Sequence, residues 1–104
     1  MAVTAIVRFP FPEVKTEEEL IASFESSSSL YQDVPGLLRK YYLMSQDRRS
    51  GGGVYIFESR ADAERVHDEV WRARLLERMG VEPDVQYFDS PVIVDNEAKA
   101  ATTA

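Results

Sequence analysis

Cysteine is absent from this chain. That excludes disulfide frameworks, thiolate zinc sites, iron–sulfur ligation and thiol catalysis. Histidine and tryptophan each occur once. Positive charge is in the minority, with 12 Lys+Arg against 18 Asp+Glu and a formal net charge of −6. Such a balance argues against a nucleic-acid partner, which ordinarily requires a basic face. No apolar run approaches the length of a spanning helix, and Met1 to Pro12 lacks the pattern of a secretory leader. The expectation is a soluble, cytoplasmic protein with no membrane partner, no metal and no cofactor.

What is present suffices for one modest core: 104 residues, 44% hydrophobic and 11% aromatic. Ala2 to Phe9 is short and β-branched, with Val3, Ala5, Val7 and Phe9 on one face, and Pro10 and Pro12 end it. Thr16-Glu17-Glu18-Glu19 is a capping-box pattern, predicting a helix from about Thr16 to Gln32 with Leu20, Ile21, Phe24 and Tyr31 as its apolar stripe. Ser26 to Ser29 weaken that helix, because serine hydroxyls compete for backbone groups.

Leu37 to Met44 and Val54 to Glu58 read as two strands of a hairpin, joined by a polar, glycine-rich turn from Asp47 to Gly53. Arg48 and Arg49 before the glycines hint at an anion loop, but no helix follows and P-loop spacing is missing. Ser59 starts a second helix reaching Gly80, with Ala63, Val66, His67, Val70 and Trp71 on one face and a bend expected after Trp71. Val85 to Phe88 and Val92 to Val94 form a last strand, interrupted at Pro91. The order β-α-β-β-α-β predicts an α+β, ferredoxin-like antiparallel sheet. Residues 1–96 form the expected domain, and 97–104 a flexible C-terminal tail.

Two helices cover only one face of such a sheet, yet the strands are apolar on both. Val54 and Ile56 oppose Tyr55 and Phe57, while Leu37, Tyr41 and Leu43 oppose Leu38, Tyr42 and Met44. Leaving these side chains wet forgoes about 1.5–3 kcal/mol each. Sheet-on-sheet packing against an identical subunit removes that cost, so a homodimer is expected.

Val34-Pro-Gly-Leu-Leu-Arg-Lys-Tyr-Tyr-Leu-Met44 and Gly52-Gly-Val-Tyr-Ile-Phe-Glu-Ser59 resemble the YdhR monooxygenase family. Trp71-Arg-Ala-Arg, Met79-Gly-Val and Tyr87 through Asn96 extend the similarity over most of Ala2 to Asn96. The resemblance implies a dimeric α/β barrel, in which two ferredoxin-like sheets close on each other. It also implies a cofactor-independent monooxygenase acting on a small aromatic or polyketide-like compound in an apolar pocket. Oxygen chemistry there proceeds through the substrate's own stabilised carbanion, which calls for a base, aromatic walls and exclusion of water.

On this reading His67, one helical turn from Trp71, is the proton acceptor. Tyr41 and Arg39 polarise the substrate oxygen. Trp71, Phe9, Tyr55 and Phe24 supply the pocket walls. Each residue type also has an ordinary use, as a helix-surface histidine, a sheet-packing tyrosine, a cross-strand cation or a core indole. The alternatives are a non-catalytic ligand-binding or stress-related dimer and, below it, a haem-binding or haem-degrading protein. Haem-degrading relatives carry an asparagine on the first strand, and Ala2 to Phe9 has none.

Overall fold

The computed structural model describes residues 1–97 and 100–103. The strands are β1 (Ala2–Pro10), β2 (Leu37–Met44), β3 (Ser50–Phe57), β4 (Asp84–Ser90), β5 (Val92–Asp95) and β6 (Ala100–Thr103). The helices are α1 (Glu17–Ser28), α2 (Arg60–Val66) and α3 (Glu69–Met79). Four strands form one antiparallel sheet in the order β2-β3-β1-β4, and β5 pairs with β6 as a separate ribbon. The architecture is the expected α+β, ferredoxin-like one. Part of the segment expected as a tail, residues 98–99 and 104, lies outside the described residues. No helix among the described residues is long and apolar enough to cross a membrane.

The first helix starts where its capping box places it. The Glu19 amide donates to Thr16 Oγ1 at 3.2 Å, and the Thr16 amide donates back to Glu19 Oε1 at 3.1 Å. It ends earlier than the expected Gln32, at Ser28. The cause is local: the hydroxyls of Ser26, Ser27 and Ser28 donate to the carbonyls of Ser23, Phe24 and Glu25, competing with the helical ladder.

The expected second helix is two helices. Asp68 caps a new one, accepting from the Trp71 amide at 2.9 Å, and His67 leaves helical geometry at φ −89°, ψ 51°. This break precedes the bend expected after Trp71. It turns Trp71 into the core at 6% exposure, whereas Val70, assigned by periodicity to the same face, is 67% exposed.

The hairpin also differs from expectation. Its turn lies at Ser45 to Arg49, and all three glycines belong to β3. Gly52, at φ 148°, is packed so closely on β1 that a Cβ would collide with the Val7 carbonyl. A Cβ on Gly51 would strike the Phe11 ring. The glycines therefore make a low floor on the sheet, over which Phe11 folds back.

The core lies between the sheet and its helices, where Val3, Ala5, Val7, Tyr55, Phe57, Ala63 and Trp71 cluster. Phe57 and Ala5 are completely buried. The opposite sheet face carries Ile6, Val54, Ile56, Tyr41 and Phe88, set by the pairings of Ile6 with Val54, Tyr41 with Val54 and Thr4 with Phe88. Tyr41 and Phe88 are about half exposed, with no helix among the described residues covering them. In the β5–β6 ribbon, Val92 and Val94 are exposed as well.

Candidate active site

A cavity of about 270 Å³ opens between the sheet and helices α1 and α3. Val7, Gly52 and Gly53 line it from the sheet, and Phe11 and Pro12 border it beyond β1. The four expected wall residues come together here: Phe9 from β1, Phe24 from α1, Tyr55 from β3 and Trp71 from α3 all line it. Trp71 is fixed by its indole Nε1, which donates to the Tyr31 hydroxyl at 3.1 Å.

Arg39 and Tyr41 do not join them. They lie on the uncovered face, where Arg39 Nη1 donates to the Tyr41 hydroxyl at 3.0 Å. Their neighbours Lys40 and Tyr42 line the cavity instead. Counting alternation from Leu37 fails because of a bulge at Leu38: Leu37 pairs with Phe57, but Arg39, not Leu38, pairs with Ile56. One extra residue changes the parity of the strand, so Leu37 shares the helix-side face with Lys40 and Tyr42 rather than with Tyr41.

His67 is not at the cavity surface. It is 4% exposed, with its ring 4.4 Å from Tyr55 and 4.3 Å from Trp71, behind the wall. Its Nδ1 lies 3.2 Å from the Tyr87 hydroxyl, and Nε2 is buried without a partner among the described residues. Burial, helped by the charges of Arg72 and Lys40, pushes its pKa down to about 4. At neutral pH it is an uncharged aromatic of the core. This burial also separates it from any role as an accessible haem ligand.

Lys40 has the least ordinary surroundings. Its Nζ lies 3.4 Å from the ring centre of Tyr31, 3.8 Å from that of Tyr42 and 4.8 Å from that of Tyr55. Ring faces attract an ammonium. Burial, followed by the nearby charge of Arg78, acts against it and brings the pKa down to about 7. Tyr42 stacks on Phe24 with ring centres 5.0 Å apart, and its hydroxyl sits 2.8 Å from Ser27 Oγ. Desolvation raises the Tyr42 and Tyr55 phenols above the usual tyrosine range. The site thus combines flat apolar walls, neutral phenols and one amine able to exchange a proton near pH 7. Alternation separates Lys40 and Tyr42 from Arg39 and Tyr41, and the register carried from the hairpin turn, with Lys40 opposite Tyr55 and Tyr42 opposite Gly53, decides which pair meets the helices.

Several solved structures share this fold. A monooxygenase from the gene ActVA-Orf6 of Streptomyces coelicolor, crystallised in complex with the ligand Nanaomycin D, superposes with a TM-score of 0.63 at 20% identity, over 86% of both chains. Rv0793 from Mycobacterium tuberculosis gives 0.63 at 18% identity, over 86% of this chain and 95% of its own. NE2512, a protein of unknown function from Nitrosomonas europaea, gives 0.64 at 14% identity, over 86% of this chain and 88% of its own. Similarity at these identities establishes the fold. No curated protein sequence matches at a significant level. The family described as "Putative mono-oxygenase ydhR" matches residues 6–92, which is most of the chain. The chain belongs to the YdhR family.

Proposed function

We propose that this protein is a cofactor-independent monooxygenase that oxidises a small aromatic or polyketide-like compound in the cavity between sheet and helices. The observation that carries the reading is the pairing of aromatic walls with a proton-exchanging amine in one cavity: Phe24, Tyr55 and Trp71 around Lys40. Family membership and the fold shared with a monooxygenase crystallised with Nanaomycin D support it.

In this reading the neutral Lys40 amine accepts a proton from a substrate whose anion is delocalised over its rings. The anion gives an electron to dioxygen, and the resulting radicals combine to form a C–O bond. Loss of water from the peroxide leaves a carbonyl, so that a ring CH₂ and O₂ become C=O and H₂O. The walls hold the anion flat and keep water away. His67, expected as the base on its ordinary pKa and its position one turn from Trp71, packs in this reading behind the wall against Trp71 and Tyr55.

The reading includes a homodimer joined through the uncovered sheet face, where Tyr41, Phe88, Val54 and Ile56 need a cover. Oxygen uptake with a panel of hydroxyaromatics tests the activity. Uptake that depends on Lys40 supports it. Ligand binding with no uptake on any member favours the non-catalytic binding module.

A further inference from the structure

The charge lining the cavity is opposite in sign to the charge of the protein. The chain carries 18 acidic residues and a net charge of −6. Among the described residues, the cavity has no Asp or Glu in its lining, while Lys15, Lys40 and Arg78 enter it from three separate segments. The pairing of charges elsewhere makes the contrast sharper. Arg8, Arg48, Arg60 and Arg65 each sit against a carboxylate. Among the described residues, none of the three cavity cations lies within ion-pair distance of a carboxylate, although Glu19, its pKa lowered first by hydrogen bonds with Thr16, is lowered further by the charge of Lys15.

Lys40 is the one held in place. A lysine on a sheet ordinarily stretches its head to water. Here the head is drawn inward over the faces of Tyr31 and Tyr42, at 3.4 and 3.8 Å, and Tyr55 borders the same space. Ring faces attract its charge but do not replace a carboxylate as hydrogen-bond acceptor, so the N–H donors retain capacity for an anionic oxygen. The surrounding groups are consistent in this respect: Arg78 from α3 and Lys15 before α1 bring positive charge, while desolvation raises the pKa of the Tyr42 and Tyr55 phenols and keeps His67, behind them, uncharged.

We infer that the cavity selects flat aromatic compounds bearing an ionised oxygen, a carboxylate or a phenolate, and that Lys40 Nζ is the group that pairs with that oxygen. The inference rests on the proposed function, because it names the class of molecule the same site takes. In the proton-transfer step the phenol gives its proton to the Lys40 amine, and the phenolate and ammonium formed are the pair described here. A carboxylate forms the same pair with Lys40 already protonated, so such a compound is bound by Lys40 but not deprotonated by it.

The test is calorimetric titration of the wild-type chain and of Lys40→Met with 2-naphthoate, uncharged 2-naphthamide and 2-naphthol, under nitrogen. In the wild type, 2-naphthoate should bind about 10- to 100-fold more tightly than 2-naphthamide, the range for one charge-assisted hydrogen bond. In Lys40→Met the preference should disappear while 2-naphthamide still binds, which also shows that the variant is folded. A shift of bound 2-naphthol to the naphtholate absorption band at neutral pH assigns the anion to phenolate, and its absence assigns it to carboxylate. Equal affinities in the wild type, a preference that survives Lys40→Met, or failure of the wild type to bind either naphthalene overturns the inference. The wild-type comparison decides the matter even if the variant does not fold. The two readings fail separately: a naphthoate preference without oxygen uptake removes only the oxygenase, and uptake on a neutral substrate without that preference removes only the charge pairing.

Discussion

The Trp71 indole N–H donates to the Tyr31 hydroxyl at 3.1 Å, tying the start of α3 to the segment that follows α1 across the rim of the cavity. Both side chains border the site, so this bond fixes the separation of two of its walls. It also leaves the ring face of Tyr31 free to sit under Lys40.

Tyr31→Phe keeps that ring face and removes only the acceptor. The buried indole N–H then lacks its partner, at a cost of about 1–3 kcal/mol. We expect a lower midpoint of urea unfolding and, because Trp71 is the sole tryptophan, a shift of the folded-state emission. An unchanged midpoint and emission would show that water replaces the bond without loss.

His67 makes stability depend on acidity in a defined window. Its ordinary pKa is near 6.5 and burial brings it to about 4, so between those values the unfolded chain holds a proton that the folded chain does not. The stability due to neutral His67 is complete above about pH 6.5 and is lost as pH falls toward 4, by roughly 3 kcal/mol. Urea midpoints of the wild type and His67→Phe, followed from pH 7 to 4, separate this contribution from that of the carboxylates. The wild type should fall more steeply; parallel curves would contradict the buried neutral state.

The uncovered sheet face predicts association. Light scattering at micromolar concentration should give twice the 11.8 kDa chain mass. Phe88→Glu places a charge on that face beside β1, outside the cavity lining, and should dissociate the pair while leaving far-ultraviolet circular dichroism intact. A monomeric wild type would refute this face as a subunit contact.

Much of the fold was legible from local chemistry. β-Branched alternation marked β1, Thr16 with Glu19 marked the start of α1, and Pro and Gly separated the elements. The strand part of the aromatic wall was partly legible, because alternation groups Phe9 with Val3, Ala5 and Val7, and Tyr55 with Phe57, while Trp71 reaches the cavity through the helix break at His67. Three features escaped for physical reasons. Asp68 caps a helix inside an apolar period that runs straight through it, so the local bond overrides the pattern. The glycines read as a turn, but they are small because β1 and Phe11 lie against them. The placing of Lys40 and Tyr42, rather than Arg39 and Tyr41, on the helix side could not be counted from Leu37, because a pairing irregularity at Leu38 that composition does not signal reverses the parity there.

That irregularity has a consequence for how the site can change over generations. The hairpin turn fixes the register from Arg39 to Met44, while Leu37 is anchored separately opposite Phe57. Leu38, half exposed between them, absorbs the mismatch. Removing it restores an unbroken ladder and leaves Lys40 and Tyr42 where they are. The strand that supplies the polar chemistry therefore has a tolerant joint beside it, where length can drift while the reactive side chains stay aimed at the same space.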